Sequence, residues 1–265
     1  MRNIRLDLEY DGRNYFGWQC QPDRSTVEQT LKNAVEILVQ HPVTIYSSGR
    51  TDSGVHAEQH VAHFFSETGL PHERILIALN SLLPDDIVPY RCVDMPQDWK
   101  ARYDAVEREY RYTYYNDSLP SVFFRHWAYW IKKPLDFEAM KTAARYLEGR
   151  HDFSAFRSTH CDAENPVRTI YELSLKKKDK LIFMKVRGQA FLRSQVRTFA
   201  GTLLDIGLGR FDPHSIPDML ASKDRNVTGP SLPAHGLSLV AVRYEGDEER
   251  FAGQEHRSRW AHFFE

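Results

Sequence analysis

Apolar residues alternate with polar ones at the start of the chain, and the period then lengthens. Every second residue from 4 to 10 is apolar, which predicts a half-buried strand, and the turn residues Asp11 and Gly12 end it. Ser25 and Glu28 form a capping-box spacing before an apolar stripe at helical period, made up of Val27, Leu31, Ala34, Val35 and Leu38. A helix is therefore predicted to follow the first strand.

Strands and helices continue to alternate up to residue 95. Strand-like runs occupy residues 43–47, 60–66 and 86–95. A second helix is predicted to begin at Pro71, with inward-facing apolar residues Ile75, Ala78, Leu79 and Leu82. The resulting β-α-β-β-α-β order is the split βαβ, or ferredoxin-like, plan.

The same order roughly repeats after residue 105. The predicted elements are a strand at 105–116, a helix at 136–149 closed by Gly149, a hairpin at 168–188, an amphipathic helix ending near Gly207, and a strand at 236–245. Tyr112 and Tyr114 of the first of these strands are interpreted as core residues. The second half is therefore predicted to resemble the first, although no sequence repeat is detectable.

No Gly- or Pro-rich linker separates the two halves. We therefore predict an α+β fold in which two ferredoxin-like (split βαβ) halves, residues 1–105 and 106–245, share one continuous, mostly antiparallel sheet. Helices are expected on one side of this sheet, with a central cleft at the junction. The tail, residues 246–265, has no clear place in the plan.

Composition excludes two classes of protein. The 265-residue chain is 42% hydrophobic and 27% charged and contains no run of about 18 apolar residues, which argues against a membrane protein. Cys20, Cys92 and Cys161 are odd in number and far apart, which favours reduced thiols over a disulfide framework or a cysteine zinc site. Because the N-terminus has no signal-peptide pattern, a cytoplasmic protein is predicted.

Charge is distributed unevenly, although the formal net charge is only −1. Residues 100–210 contain 21 Lys and Arg but 13 Asp and Glu, so the remaining segments are acidic. Aromatic residues are interleaved with the arginines of this basic middle, a mixture that binds phosphates and stacks on bases. The arginines are Arg102, Arg108, Arg111, Arg187, Arg193 and Arg197, and the aromatic residues include Tyr103, Tyr110 and Phe191. A solvated charged face explains the composition equally well. The lysines at 176–178 and 180 are interpreted as a hairpin tip.

The stretch SSGRTDSGVHAEQH, residues 47–60, connects two predicted strands and holds one carboxylate, Asp52, between two glycines. Taken alone, such an aspartate is most often an Asx turn or cap. His56 and Glu58 match half of the zinc-deaminase signature, but the cysteine half is missing. His56 and His60 also lack the order of a metallohydrolase helix. The pattern therefore favours a site without a metal.

Five blocks, in order, resemble the motifs of the tRNA pseudouridine synthase A family: YDGRNYFGWQCQ (10–21), GRTDSGVHA (49–57), KARYDAVEREYRYTYYN (100–116), AFLRSQVRTFAG (190–201) and PAHGLSLVAVRY (233–244). The resemblance extends to about residue 245. It implies a homodimeric enzyme without a cofactor that isomerises uridine to pseudouridine at positions 38–40 of the tRNA anticodon stem-loop. It also implies two ferredoxin-like halves around a central RNA-binding cleft.

The resemblance also implies roles for individual residues. By matched position, Asp52 is similar to the catalytic aspartate, Tyr110 to the tyrosine that stacks on the target base, and Arg197 to the basic partner of the aspartate. Arg50 and Arg102 lie inside matched blocks and resemble RNA-binding or site-organising residues. Three positions depart from the family pattern, namely Cys20, Glu109 and Gln195; the first two reduce the local positive charge.

The reaction itself accounts for these residue types. The N1–C1′ bond must break, and the turned uracil must bond to C1′ through C5, with no net redox change. An ionised carboxylate can stabilise the sugar or remove its proton, and an adjacent arginine keeps the carboxylate charged. Two alternatives stay open at this point: a non-catalytic RNA-binding protein, and an N-glycoside hydrolase that releases free uracil.

Overall fold

The computed structural model describes residues 1–159, 161 and 163–251, which form two compact units. The N-terminal unit contains residues 1–106 together with residues from 239 onward, and the C-terminal unit contains residues 107–238. The first boundary between the units falls after Val106, and the domain division of residues 1–105 and 106–245 stays a prediction. The last strand differs, because most of it belongs to the N-terminal unit.

The N-terminal unit has the predicted β-α-β-β-α-β order. Its elements are β1 (Arg2–Tyr10), α1 (Val27–Val39), β2 (Tyr46–Ser47), β3 (His56–Ser66), α2 (His72–Leu82) and β4 (Ile87–Met95). Strand β1 lies between β4 and β3, strand β2 pairs with β3, and all three pairings are antiparallel. The motif 47–60 therefore spans the turn between β2 and β3.

The C-terminal unit is also built mainly on antiparallel strands. Its elements are β5 (Ala105–Asn116), β6 (Tyr129–Ile131), α3 (Phe137–Arg145), β7 (Gly149–Asp152), β8 (Val167–Lys178), β9 (Leu181–Gly188), α4 (Gln195–Gly207) and α5 (Ile216–Ser222). The strand order is β5-β9-β8-β7, and the short β6 pairs in parallel with β5. Strand β10 (Leu237–Tyr244) and the single-turn α6 (Asp247–Arg250) follow. The predicted α+β class with mostly antiparallel pairing is confirmed.

Several predicted boundaries are wrong for local reasons. Helix α1 is capped by Thr26 instead of Ser25, because the Thr26 side chain accepts the Gln29 N–H. The predicted strand at 43–47 shrinks to two residues, since only Tyr46 and Ser47 find partners on β3.

The helix predicted to reach Gly149 ends at Arg145. Gly149, with φ of +97°, begins β7, which pairs with β8.

Leu82, expected to face inward, lies in the last turn of α2 and is 43% exposed. The strands and α-helices missed by the sequence pattern are β6, β7, α5 and the single-turn α6.

Strand β1 is buried on both faces, whereas the alternation predicted one exposed face. Its second face carries Arg5 and Asp7, which are fully buried and joined by an ion pair of 2.7 Å. Asp247 of α6 also pairs with Arg5 at 2.8 Å. The rings around the guanidinium are those of Trp99, Tyr244 and Phe251, with centroids at 5.6, 4.6 and 5.2 Å. Residues from both chain segments of the unit, 1–106 and 239 onward, therefore cover this face.

The beginning of the tail thus has a place in the N-terminal unit. Residues 252–265, with the aromatic residues Trp260, Phe263 and Phe264, lie outside the described part of the chain. Within the described part, no helix is long and apolar enough to cross a membrane. The three cysteines are free thiols, as predicted.

Candidate active site

Asp52 lies half-buried in the loop between β2 and β3. The loop is closed at its base, where the Ser48 N–H donates to the Val61 carbonyl at 2.8 Å. It turns back at its tip, where the Val55 N–H donates to the Asp52 carbonyl at 3.1 Å, with Gly54 at φ of +79°. The backbone of Asp52 is therefore part of a tight turn that hydrogen bonds between backbone groups close.

A second segment, residues 10–18, supports this loop from behind. The Trp18 N–H donates to the Thr51 carbonyl at 3.1 Å, and the Gly54 N–H donates to the Tyr15 carbonyl at 3.3 Å. The Tyr10 hydroxyl also lies 2.8 Å from Thr51 Oγ1. Backbone groups on both sides of Asp52 are thus fixed, which limits the positions its carboxylate can take.

Two glycines allow the supporting segment to approach so closely. A Cβ atom on Gly12 would lie 2.0 Å from the Val55 carbonyl oxygen. On Gly17, which has φ of +86°, it would lie 2.6 Å from the Thr51 carbonyl oxygen. Both distances fall far below van der Waals contact, so the YDG and FGW sequences are required for packing against the Asp52 loop.

The two histidines of the motif lie on strand β3 and have structural contacts. His60 is fully buried, stacks on Trp18 with ring centroids 3.8 Å apart, and places Nδ1 3.3 Å from the Tyr10 hydroxyl. His56 Nδ1 lies 3.1 Å from Asp11 Oδ1. No group of three or more His, Cys, Asp or Glu side chains suited to a metal occurs among the described residues. His56 and His60 therefore support the Asp52 loop.

His60 gives the protein a specific pH dependence. Burial lowers the pKa of His60 to about 3, whereas an exposed histidine has a pKa of about 6.5. Keeping His60 neutral and buried therefore contributes fully to the free energy of unfolding above pH 6.5. Between pH 6.5 and 3 the unfolded state takes up a proton that the folded state does not, and the free energy of unfolding falls by up to about 1.4 kcal/mol per pH unit.

The variant His60→Phe is expected to keep the stacking on Trp18 and to lose this contribution. Urea unfolding at pH 7, 6 and 5 should therefore show a shallower decline in the free energy of unfolding than in the parent. The control is His72→Phe, because His72 is partly exposed, and it should retain most of the parent slope. Equal slopes for the parent and His60→Phe would contradict this prediction.

Tyr110 lies on β5, opposite Val186 of β9. Its ring is half-buried and meets the Phe191 ring edge-on, with centroids 5.2 Å apart and an interplanar angle of 84°. Tyr112 and Tyr114 are fully buried, and their hydroxyls donate to the Pro233 and Ala200 carbonyls at 2.9 Å each. The prediction that these two are core residues is confirmed, whereas Tyr110 stands partly exposed at the end of the series.

Arg197 lies in the first turn of α4 and is held by a segment that sequence reasoning missed. Its Nε donates to the Leu232 carbonyl at 2.6 Å, and the Leu232 N–H donates to the Arg197 carbonyl at 3.2 Å. A Cβ atom on Gly201 would lie 1.7 Å from the Pro230 carbonyl oxygen, so the segment packs directly on the helix backbone. The sequence signal was a glycine inside a predicted helix, which usually has a packing reason.

Gln195, which departs from the family pattern, has a structural role. It is the first residue of α4, is fully buried, and accepts the Leu192 N–H at 2.8 Å through its side-chain carbonyl. Cys20 is exposed, and Glu109 is buried on β5.

The remaining predicted residues are on the surface or are paired. Arg50 and Arg102 are exposed, and the Arg102 guanidinium lies 5.8 Å from the Tyr103 ring centroid. Arg187 forms ion pairs with Glu107 at 3.0 Å and Glu172 at 2.8 Å. Its charge is therefore compensated within the C-terminal unit, and it is a weaker candidate for phosphate binding than its position in the basic middle suggested.

The candidates are divided between the two units. Asp52, Arg50 and Arg102 belong to the N-terminal unit, and Tyr110 and Arg197 belong to the C-terminal unit. Each group has a defined local geometry, and the meeting of the two groups in one site stays a prediction.

Comparison with known proteins identifies the family. A family model described as tRNA pseudouridine synthase matches residues 8–104 and 143–245. A tRNA pseudouridine synthase A of Acetivibrio thermocellus is 43% identical over 244 residues, which cover 92% of this chain and 100% of that protein. Proteins of the same name from Pelobacter propionicus and Bacillus velezensis are each 41% identical, over 92% and 91% of this chain and 100% and 99% of theirs.

A solved structure, a Cbf5–Nop10–Gar1 complex, aligns with 89% of this chain and 58% of the matched chain at 10% identity and a TM-score of 0.37. The matched stretches contain Asp52, Arg50 and Arg102 in the first and Arg197 in the second, whereas Tyr110 lies between them. Full-length relatives at about 40% identity agree with it. The chain therefore belongs to the tRNA pseudouridine synthase family.

Proposed function

We propose that the protein isomerises uridine to pseudouridine at positions 38–40 of the tRNA anticodon stem-loop, as a cytoplasmic homodimer. The observation that carries this proposal is the half-buried Asp52, in a loop whose backbone is hydrogen-bonded to residues 10–18 on both sides of this residue. An Asx turn alone does not require a second segment, residues 10–18, to pack so closely against the loop that only glycine fits at positions 12 and 17. Membership of the family supplies the reaction class.

The reaction conserves all atoms and needs no electron acceptor. The N1–C1′ bond breaks, the uracil turns, a bond forms between C5 and C1′, the proton on C5 leaves to water, and the freed N1 takes up a proton. An ionised Asp52 can attack C1′ or remove the 2′ proton, and either route uses a single carboxylate. Glycoside hydrolysis, by contrast, usually uses two carboxyl groups, one to protonate the leaving group and one to activate water or attack the sugar.

Arg197 and Tyr110 are proposed to complete the site. The hydrogen bond to the Leu232 carbonyl fixes the direction of the Arg197 side chain, which suits a partner that keeps Asp52 charged. Phe191 fixes the Tyr110 ring from its edge. A ring held in this way can stack on a uracil that has left its own stack, at a cost of a few kcal/mol that stacking offsets. Arg50 and Arg102 are exposed and are proposed to contact the RNA backbone.

Replacing Tyr110 by Phe separates two possible contributions of this residue. The stacking face is retained, so tRNA affinity should change by less than about threefold. If the hydroxyl takes part in removing the C5 proton, the single-turnover rate should fall by about a hundredfold, the order typical of general acid–base groups. Quenched-flow measurement with saturating enzyme tests this, and an unchanged rate would limit Tyr110 to stacking. Phe191→Leu is the companion variant, since it removes only the edge support.

Analysis of the products distinguishes the proposed function from its two alternatives. An unmodified tRNA transcript is incubated with the protein, digested to nucleosides and separated by chromatography. Isomerisation should convert one to three uridines per tRNA into pseudouridine, with no free uracil. Free uracil would indicate an N-glycoside hydrolase, and intact uridine under conditions of full binding would indicate a binding protein.

A further inference from the structure

Three segments of the C-terminal unit converge around Asp117, at the end of β5. The Asp117 carboxylate accepts the Tyr115 hydroxyl at 2.9 Å and forms an ion pair with Lys180 of the β8–β9 turn. Its backbone carbonyl accepts the Trp130 Nε1–H of β6 at 2.9 Å. Asn116 continues this network, because its N–H donates to the Lys180 carbonyl at 2.7 Å and its side chain donates to the Lys133 carbonyl at 2.8 Å.

This convergence brings together cations that are distant in sequence. We call them the basic tip; its members, all exposed, are Arg125, Lys132, Lys133, Lys176, Lys177, Lys178 and Lys180. The carboxylates of the same segments are Asp117, which already pairs with Lys180, and Asp179. The lysines of 176–180, which the sequence marks as a hairpin end, therefore lie beside other cations at one end of the strands, with Lys176 and Lys178 on one face of β8 and Lys177 on the other.

Exposed apolar side chains lie beside the basic tip. Phe123 is 87% exposed, and Leu119 and Val122 are each 71% exposed. Their loop is anchored by Phe124, whose ring lies 5.3 Å from that of Tyr115. The segment from 121 to 127 is a series of hydrogen-bonded turns, which holds Phe123 in its exposed position.

This combination of charge and aromatic surface suits RNA better than it suits a protein. Lysine is depleted at the centres of protein–protein interfaces, whereas clustered cations with an exposed aromatic ring are the usual footprint of nucleic-acid binding. Tyr110 and Tyr115 are five residues apart on β5, so the tip begins roughly 17 Å from the proposed base-stacking residue. A tRNA bound at Tyr110 is long enough to reach both places.

We propose that the basic tip is a second tRNA contact, which binds the sugar-phosphate backbone away from the target uridine, with Phe123 packing on a sugar or an unstacked base. This inference rests on the proposed function, since it takes the same tRNA as ligand. The tip lies partly in residues 105–142, between the two stretches that the family model matches. It contributes affinity and not chemistry.

Charge-neutralising variants test this proposal with an unmodified tRNA transcript as the probe. The triple change Lys176→Gln, Lys177→Gln and Lys178→Gln, and separately the pair Lys132→Gln and Lys133→Gln, should each raise Kd for tRNA by about tenfold or more. The dependence of log Kd on log salt should become shallower by about 0.7 to 0.9 for each phosphate that a lysine no longer neutralises. The single-turnover rate at saturating enzyme should stay within about twofold of the parent.

The matched control for the Lys132 and Lys133 pair removes two positive charges elsewhere in the unit. The double variant Lys141→Gln on α3 and Lys223→Gln after α5 should leave Kd unchanged, because these lysines, which pair with Glu138 and Asp152, lie outside the basic tip. Values of Kd for the tip variants that match this control would overturn the proposal. Phe123→Ala tests the competing occupant: dissociation of an oligomer with unchanged tRNA affinity would mean that the surface is a protein interface.

The outcomes also separate this proposal from the proposed function. If the parent protein forms pseudouridine and the tip variants bind tRNA normally, the second tRNA contact is contradicted and the isomerase function stands. If the parent binds tRNA through the tip but forms no pseudouridine, the isomerase function is contradicted and the second tRNA contact stands.

Discussion

Asp52→Asn is expected to lower the single-turnover rate of pseudouridine formation by about ten-thousandfold or more, the usual cost of removing a catalytic group. The amide keeps the size of the carboxylate and most of its hydrogen bonding, so the loop should keep its conformation. The contacts that shape the loop come from backbone groups of Ser48, Asp52 and Val55 and from segment 10–18, all of which the variant retains. Loss of rate would then report the missing charge.

Binding of tRNA by Asp52→Asn should be at least as tight as in the parent. Affinity for RNA comes mainly from phosphate contacts, and removing an anion near the RNA reduces repulsion. Asp94→Asn is the control, since Asp94 pairs with Arg2 on the surface of the same unit, and it should react normally. A residual rate for Asp52→Asn within about tenfold of the parent would return Asp52 to a structural turn.

Gly12→Ala is expected to lower the rate by about a hundredfold while leaving the chemical groups of the site unchanged. The added Cβ would lie 2.0 Å from the Val55 carbonyl oxygen and 2.5 Å from its carbon, both backbone atoms. The segment or the Asp52 loop must therefore move by about an ångström, and a misplacement of that size in a catalytic group costs roughly a hundredfold. Thermal unfolding should show a lower Tm as well.

The matched control is Gly49→Ala, in the same motif. A Cβ atom on Gly49 meets no atom within 4 Å, and its backbone has no positive φ. The variant should therefore keep the parent rate. Equal rates for Gly12→Ala, Gly49→Ala and the parent would show that the position of the loop is unimportant for turnover.

Much of the fold follows from local pattern. The long strand β5 coincides with its prediction, and Tyr112 and Tyr114 are core residues as expected, because alternation and aromatic content act locally. The length of a short element was predicted less well for the opposite reason. Strand β2 has only two paired residues, and its length depends on where β3 offers partners and not on its own sequence.

Contacts between distant residues could not be predicted from pattern. The buried Arg5 lies on the polar face of an alternating strand, and its partner Asp247 is 242 residues away. The same holds at the candidate site, where Leu232 positions Arg197 from 35 residues further along. The glycines of the YDG and FGW sequences were visible, but only the structure shows that the Asp52 loop is what they accommodate.

Release of tritium from tRNA labelled at uridine C5 tests the central claim most directly. Bonding of C5 to C1′ must expel the C5 hydrogen, so the parent protein should release label into water in amounts equal to the pseudouridine formed. EDTA should leave this release unchanged, because the proposed mechanism uses no metal. Asp52→Asn should release label at least about ten-thousandfold more slowly, although it binds the same tRNA. Full retention of the label by the parent protein with tRNA bound would contradict the proposal that this protein makes pseudouridine.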